Sequence, residues 1–130
     1  MYAIILVGIG GFIGAILRYV LGGWIQNSFV NFPVGTLVIN TTGSFILGLI
    51  MYLSEYHGFF DAKTRIFLTI GVLGAYTTLS TFGYESFRLL DNSELTLMAI
   101  NIVSTVLFSM LAVYLGKVAA LSIGTYLLRG

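Results

Sequence analysis

The chain has 130 residues and a net charge of +1, with 8% of its residues charged and 58% hydrophobic. An average soluble domain carries roughly 25% charged residues, so this composition excludes an ordinary soluble protein, and its length suggests a single domain over 1–130 with no extramembrane catalytic module. The lack of cysteine excludes disulfides, thiolate metal sites and Cys nucleophiles, the single histidine excludes a His-rich metal site, and no basic run points to nucleic acid.

Four spans are expected, near 3–23, 33–53, 64–90 and 95–116, each approaching or exceeding the ~20 residues that cross a ~30 Å hydrocarbon core. The first lacks a positively charged leader and is too long for a signal segment, so it reads as retained. Gly10, Gly14, Arg18 and Gly22 recur every four residues there and share one face. Small residues at that spacing let helix backbones approach closely in lipid. Arg18, on the same stripe, either points into the bundle or a wet vestibule, or snorkels to the nearest interface.

Asn31 and Pro33 suit the start of the second helix, along which Thr36, Asn40 and Ser44 make one uncharged polar stripe. Glu55, His57, Asp61, Lys63 and Arg65 read as a solvated connection without chemistry, with Asp61 placed to cap the third helix. The third span has about 27 residues, roughly 40 Å of helix, and overshoots the core. At its middle, residues 71–83 gather Tyr76, Thr77, Thr78, Ser80 and Thr81 with Gly71, Gly74 and Gly83. Unsatisfied backbone is costly in lipid, and hydroxyls can satisfy a freed chain, so a break near the middle is expected. The alternative is a continuous helix whose Ser and Thr bond back to its own carbonyls. Glu85, one turn beyond Thr81, can accept a hydroxyl hydrogen bond or act as a proton-coupling carboxylate. Ser93 is the expected cap of the fourth helix, in which Asn101, Thr105 and Ser109 form a second uncharged stripe.

Amides in hydrocarbon require partners, so Asn40 and Asn101 must each meet another helix or water. Stripes of amides and hydroxyls could serve a cation, an anion or helix packing. Arg18 as the one deep basic charge, the lack of acidic rings, and Phe82 beside the polar segment lean toward an anion, because aromatic edges carry partial positive charge. No nucleophile–base–acid set, metal cluster or phosphate loop can be assembled, so an enzyme is not expected.

Three blocks carry a resemblance: Gly10-Gly11-Phe12-Ile13-Gly14-Ala15-Ile16-Leu17-Arg18-Tyr19, Pro33-Val34-Gly35-Thr36-Leu37-Val38-Ile39-Asn40, and Gly74-Ala75-Tyr76-Thr77-Thr78-Leu79-Ser80-Thr81-Phe82-Gly83-Tyr84-Glu85. In order and at fitting spacing, they make the chain similar to the Fluc (CrcB-type) fluoride channels over nearly its full length. The resemblance implies an all-α integral membrane protein of the cell membrane, the bacterial cytoplasmic membrane in the first instance. Its four transmembrane helices, the third broken, would assemble into an antiparallel dual-topology dimer with two fluoride pores and a structural Na⁺ at the dimer interface. It implies Asn40 as the pore amide and Phe82 as a pore phenylalanine. It places Thr105 and Ser109 in a polar track, Ser80, Thr81 and Glu85 beside the pore, Arg18 as the first-helix arginine, and the carbonyls of Gly74 and Thr77 on sodium. Leu79 stands where a phenylalanine is usual, and Asn101, grouped with the pore residues, where a tyrosine is common. The alternative class is a small four-helix proton-coupled multidrug-type exporter, which the chain resembles in size and dimeric architecture, although its first helix carries Arg18 where such exporters carry a carboxylate. Lys63, Arg65, Lys117 and Arg129 are expected on the side of the termini and Arg88 near the other, a bias that favours cytoplasmic ends. A homodimer is the favoured assembly, and a heterodimer with an oppositely biased related chain the alternative.

Overall fold

The computed structural model describes residues 1–129. It is all-helical, and four segments are long and apolar enough to cross a membrane: Tyr2–Gln26, Val34–His57, Ala62–Asp91 and Leu95–Arg129. We name Tyr2–Gln26 α1 and Val34–His57 α2; the third segment comprises α3 (Ala62–Arg65), a π-helical stretch (Ile66–Leu73), α4 (Gly74–Tyr76) and α5 (Leu79–Asp91); Leu95–Arg129 is α6.

The glycine stripe of α1 is a packing face. Gly10 and Gly14 are buried against the π-helical stretch, where a Cβ on Gly10 would lie 2.8 Å from the Phe67 carbonyl oxygen and 2.9 Å from Gly71 Cα. Gly22 faces Ile39 of α2. In the π-helical stretch the Thr69 hydroxyl donates to the Arg65 carbonyl at 2.8 Å, giving that oxygen a side-chain donor where the ladder is irregular.

A second small-residue seam, absent from the expectations above, joins α2 to α6. Ala112, Gly116, Ala120 and Gly124 recur every four residues and are all buried. A Cβ on Gly48 would meet the Val113 carbonyl oxygen at 2.7 Å, and one on Gly116 would meet Leu49 N at 2.8 Å. Such close approach substitutes for the hydrophobic drive that lipid does not supply.

Helix ends account for four departures from the sequence expectations. The fourth helix does not stop near residue 116 but runs on to Arg129, 35 residues and ~52 Å of helix. Lys117 lies inside this helix, followed by the apolar Val118, Ala119, Ala120 and Leu121, and its ammonium sits 5.0 Å from the Tyr52 ring centroid. His57 is not in a solvated connection. It is the last residue of α2, packed directly against Gly124, and its Nε2 is buried without a partner; Gly58 ends the helix at φ 63°.

Ser93 does not cap α6, which opens from Glu94, whose carbonyl accepts from Met98 N at 2.9 Å. Ser93 instead closes α5 in the left-handed region at φ 62°, with Ser93 N bonded to Leu90 O at 2.9 Å and Glu94 N to Leu89 O at 2.8 Å. This is the Schellman pairing, which favours glycine. Ser93→Gly should therefore raise stability by about 0.5–1 kcal/mol by removing left-handed strain, seen as a higher melting temperature in detergent; a lower one would contradict the assignment. Asp61 caps α3 as expected, accepting from Thr64 N at 3.1 Å, and hydrogen bonding from the Thr64 side chain, together with that backbone bond, holds its carboxyl below the ordinary range. Asn31 makes no cap. Gln26 orders the start of α2 from nine residues upstream, its Oε1 accepting from Gly35 N at 3.0 Å and its Nε2 donating to the Phe32 carbonyl at 3.0 Å.

Candidate functional site

Between α4 and α5 the backbone is extended at Thr77 (φ −79°, ψ 156°) and at Thr78 (φ −151°, ψ 120°). Two sets of hydrogen bonds hold this conformation. The Thr78 N–H donates to Asn40 Oδ1 at 2.8 Å, and Asn40 Nδ2 donates back to the Thr78 carbonyl at 3.0 Å. One turn on, the Thr81 N–H donates to Thr78 Oγ1 at 3.2 Å, an N-cap that starts α5. In an uninterrupted α-helix those two N–H groups would bond to the carbonyls of Gly74 and Thr77. Both carbonyls have therefore lost their helical donors. On the preceding side Thr77 still bonds to Leu73 O through its N–H and its hydroxyl, each at 3.0 Å. Tyr76 and Thr42 share a hydroxyl hydrogen bond of 3.0 Å that ties α4 to α2.

Two clefts meet at Thr78. One, of about 290 Å³, brings together Asn40 and Ser44 of α2, Thr77, Leu79 and Phe82 of the third segment, and Thr105 and Ser109 of α6. Its donors are uncharged and partly uncommitted. The Asn40 amide has two N–H bonds, of which Thr78 takes one. The Thr105 hydroxyl is buried with no protein partner. The other cleft, of about 390 Å³, is lined by Arg18, Gln26, Thr36, Thr81 and Glu85, and Thr78 lines both. There Thr36 Oγ1 donates to Glu85 Oε1 at 2.8 Å, while Glu85 Oε2 is buried and unpartnered.

Of the residues singled out in the sequence, Asn40, Phe82, Thr105 and Ser109 share the first cleft, and Arg18, Thr81 and Glu85 share the second. Ser80 lies 3.5 Å from Thr78 Oγ1, outside both. Gly74 is exposed beside the interruption. Asn101 is 1% exposed and away from the first cleft, donating to Ser86 Oγ at 2.9 Å, which in turn donates to the Phe82 carbonyl at 2.8 Å. It locks α6 to α5. Sequence reasoning gave Thr78 and Ser44 no role of their own, although both lay in polar patterns it had marked, and the pairing of Tyr76 with Thr42 carries no signal in a single sequence.

Residues 5–117 match the family described as "CrcB-like protein, Camphor Resistance (CrcB)". The chain is 78% identical over 130 residues, covering all of it and 98% of the relative, to the "Fluoride-specific ion channel FluC 3" of Methanosarcina barkeri. It is 69% identical over 127 residues to "Fluoride-specific ion channel FluC 1" of Methanosarcina acetivorans, covering 98% of the chain and 97% of the relative. It is 42% identical over 120 residues to the "Fluoride-specific ion channel FluC" of Methanocaldococcus jannaschii, covering 92% of the chain and 95% of the relative. With four membrane-length helices and a family match over most of its length, this chain is a multi-pass membrane protein and belongs to the CrcB-like family.

Proposed function

We propose that the chain, folded as a single domain, is the subunit of a fluoride channel that lets fluoride leave the cytoplasm passively across the cell membrane. The observation that carries this reading is the first cleft, where Asn40, Ser44, Thr105 and Ser109 present uncharged donors from two helices to one small space. Fluoride is small and strongly hydrated, so a narrow path must replace its water with hydrogen-bond donors. Phe82 adds an aromatic edge. Arg18 sits in the adjoining cleft, where a positive charge raises the local anion concentration. Glu85 and Thr36 hold one another beside the path, and Thr81 and Ser80 continue the hydroxyl supply. Asn101 serves packing in this reading. The relatives' printed names support fluoride as the ion.

The third span is broken at Thr77–Thr78 and covered by a second copy. Gly74, Leu79, Ser80, Thr81 and Gly83 are all exposed on the isolated chain, around extended backbone in the middle of a membrane-length segment. Irregular backbone and its hydroxyls are costly beside lipid, and an antiparallel, dual-topology homodimer covers this exposed rim with no additional gene product. Leu79, 80% exposed at the rim of the cleft, then meets the partner.

The carbonyls of Gly74 and Thr77 suit a resident Na⁺, because their helical donors, the Thr78 and Thr81 N–H groups, are engaged elsewhere, and hard cations take uncharged oxygen ligands. When bound, the ion supplies a fixed positive charge at the dimer interface.

Purified chain reconstituted alone in liposomes should release trapped fluoride down its gradient with no need for a proton gradient. Release that requires a proton gradient would favour an exporter instead. Release that appears only when a second related chain is present would replace the homodimer with a heterodimer.

A further inference from the structure

We infer that Asn40 is a positioning residue for the cation-holding carbonyls, so that the amide of the ion path also sets the cation affinity of the interruption. This deepens the sodium reading above and rests on it. Asn40 grips the Thr78 residue at both polar groups, accepting from its N–H at 2.8 Å and donating to its carbonyl at 3.0 Å, and both residues are buried. On the other side of Thr77, the Thr42–Tyr76 bond ties the chain to the same helix. Two α2 side chains therefore hold the two edges of the interruption apart.

The consequence follows from donor competition. Without the Asn40 amide, the buried Thr78 N–H needs another acceptor, and the acceptor that helical geometry offers is the Gly74 carbonyl. Closing that bond takes the carbonyl away from a cation. The Thr78 hydroxyl does the same service one step on, by keeping the Thr81 N–H off the Thr77 carbonyl. Neither side chain is among the proposed cation ligands. Both act by keeping those ligands free of hydrogen bonds.

The test is thermal melting of the full-length protein in detergent, titrated with Na⁺ at constant ionic strength against N-methylglucamine. Wild type should show a saturable rise in melting temperature. Asn40→Ala and Thr78→Ala should each move the half-saturating Na⁺ concentration upward by about tenfold, the scale of one competing hydrogen bond. Thr78→Ser keeps the hydroxyl and should hold the wild-type midpoint. Unchanged midpoints in the alanine variants would overturn the inference while leaving the sodium reading in place. A wild type with no Na⁺ response would overturn both. Should Asn40→Ala yield no folded protein, the Thr78→Ala and Thr78→Ser pair decides alone, because a role confined to helix capping would lower the melting temperature without moving the midpoint.

Discussion

Asn40→Asp should lower fluoride efflux from proteoliposomes by at least ~100-fold, since like charges ~4 Å apart repel by about 4 kcal/mol at an effective dielectric near 20. The substitution is nearly isosteric. It keeps the oxygen that accepts from Thr78 N–H, so the interruption retains one of its two anchors. It removes both amide N–H donors: the one bonded to the Thr78 carbonyl and the one left over for the cleft. In their place it sets a carboxylate among Ser44, Thr105 and Ser109, where an incoming anion meets charge instead of a donor. Monodisperse protein with efflux within a few fold of wild type would remove Asn40 and its cleft from the ion path.

The polar positions of this cleft were legible because they break the strongest pattern in the chain. An asparagine or a run of hydroxyls inside an apolar span has few physical excuses, and helical spacing alone set Thr36, Asn40 and Ser44 on one stripe. What the stripe could not reveal is its partner. Asn40 and Asn101 looked equivalent as intramembrane amides, yet one holds extended backbone beside a cleft and the other donates to Ser86 at a helix–helix contact. The difference lies in which helix each faces, and periodicity within one helix carries no information about its neighbours. The same limit hid the Thr42–Tyr76 bond.

Helix ends were read less well than helix faces. Ending the fourth span near residue 116 sets it by the length a bilayer needs, whereas the apolar residues continue beyond Lys117 through residues 118–121 and the helix continues with them. Only a cap, a glycine or a proline stops the hydrogen-bond ladder, and none follows Lys117 before Gly124, whose missing side chain makes room for His57. Ser93 looked like an N-cap because serine favours that position, whereas its left-handed backbone makes it the end of the preceding helix. In both cases the local preference was real and the neighbouring element decided its use.

Gly14→Ala should destabilise the fold by about 3 kcal/mol, while Gly23→Ala in the same helix should leave it unchanged or slightly more stable. Alanine is the better helix former at either position, by up to about 1 kcal/mol, so propensity predicts a gain from both. Packing separates them. A Cβ at Gly14 would overlap the Val72 carbonyl oxygen and lie 3.1 Å from Tyr76 N, whereas one at Gly23 would meet nothing within 4 Å. Val72 O and Tyr76 N are backbone atoms and cannot turn aside as a side chain can. The helix must move instead, and the segment it pushes includes Tyr76, whose hydroxyl anchors α4 to Thr42. Loss of stability in Gly14→Ala should therefore be accompanied by loss of fluoride efflux, since the displaced α4 carries the Thr77–Thr78 interruption with it. Equal melting temperatures for the two variants in the same detergent would show that α1 does not pack on the third segment through this face.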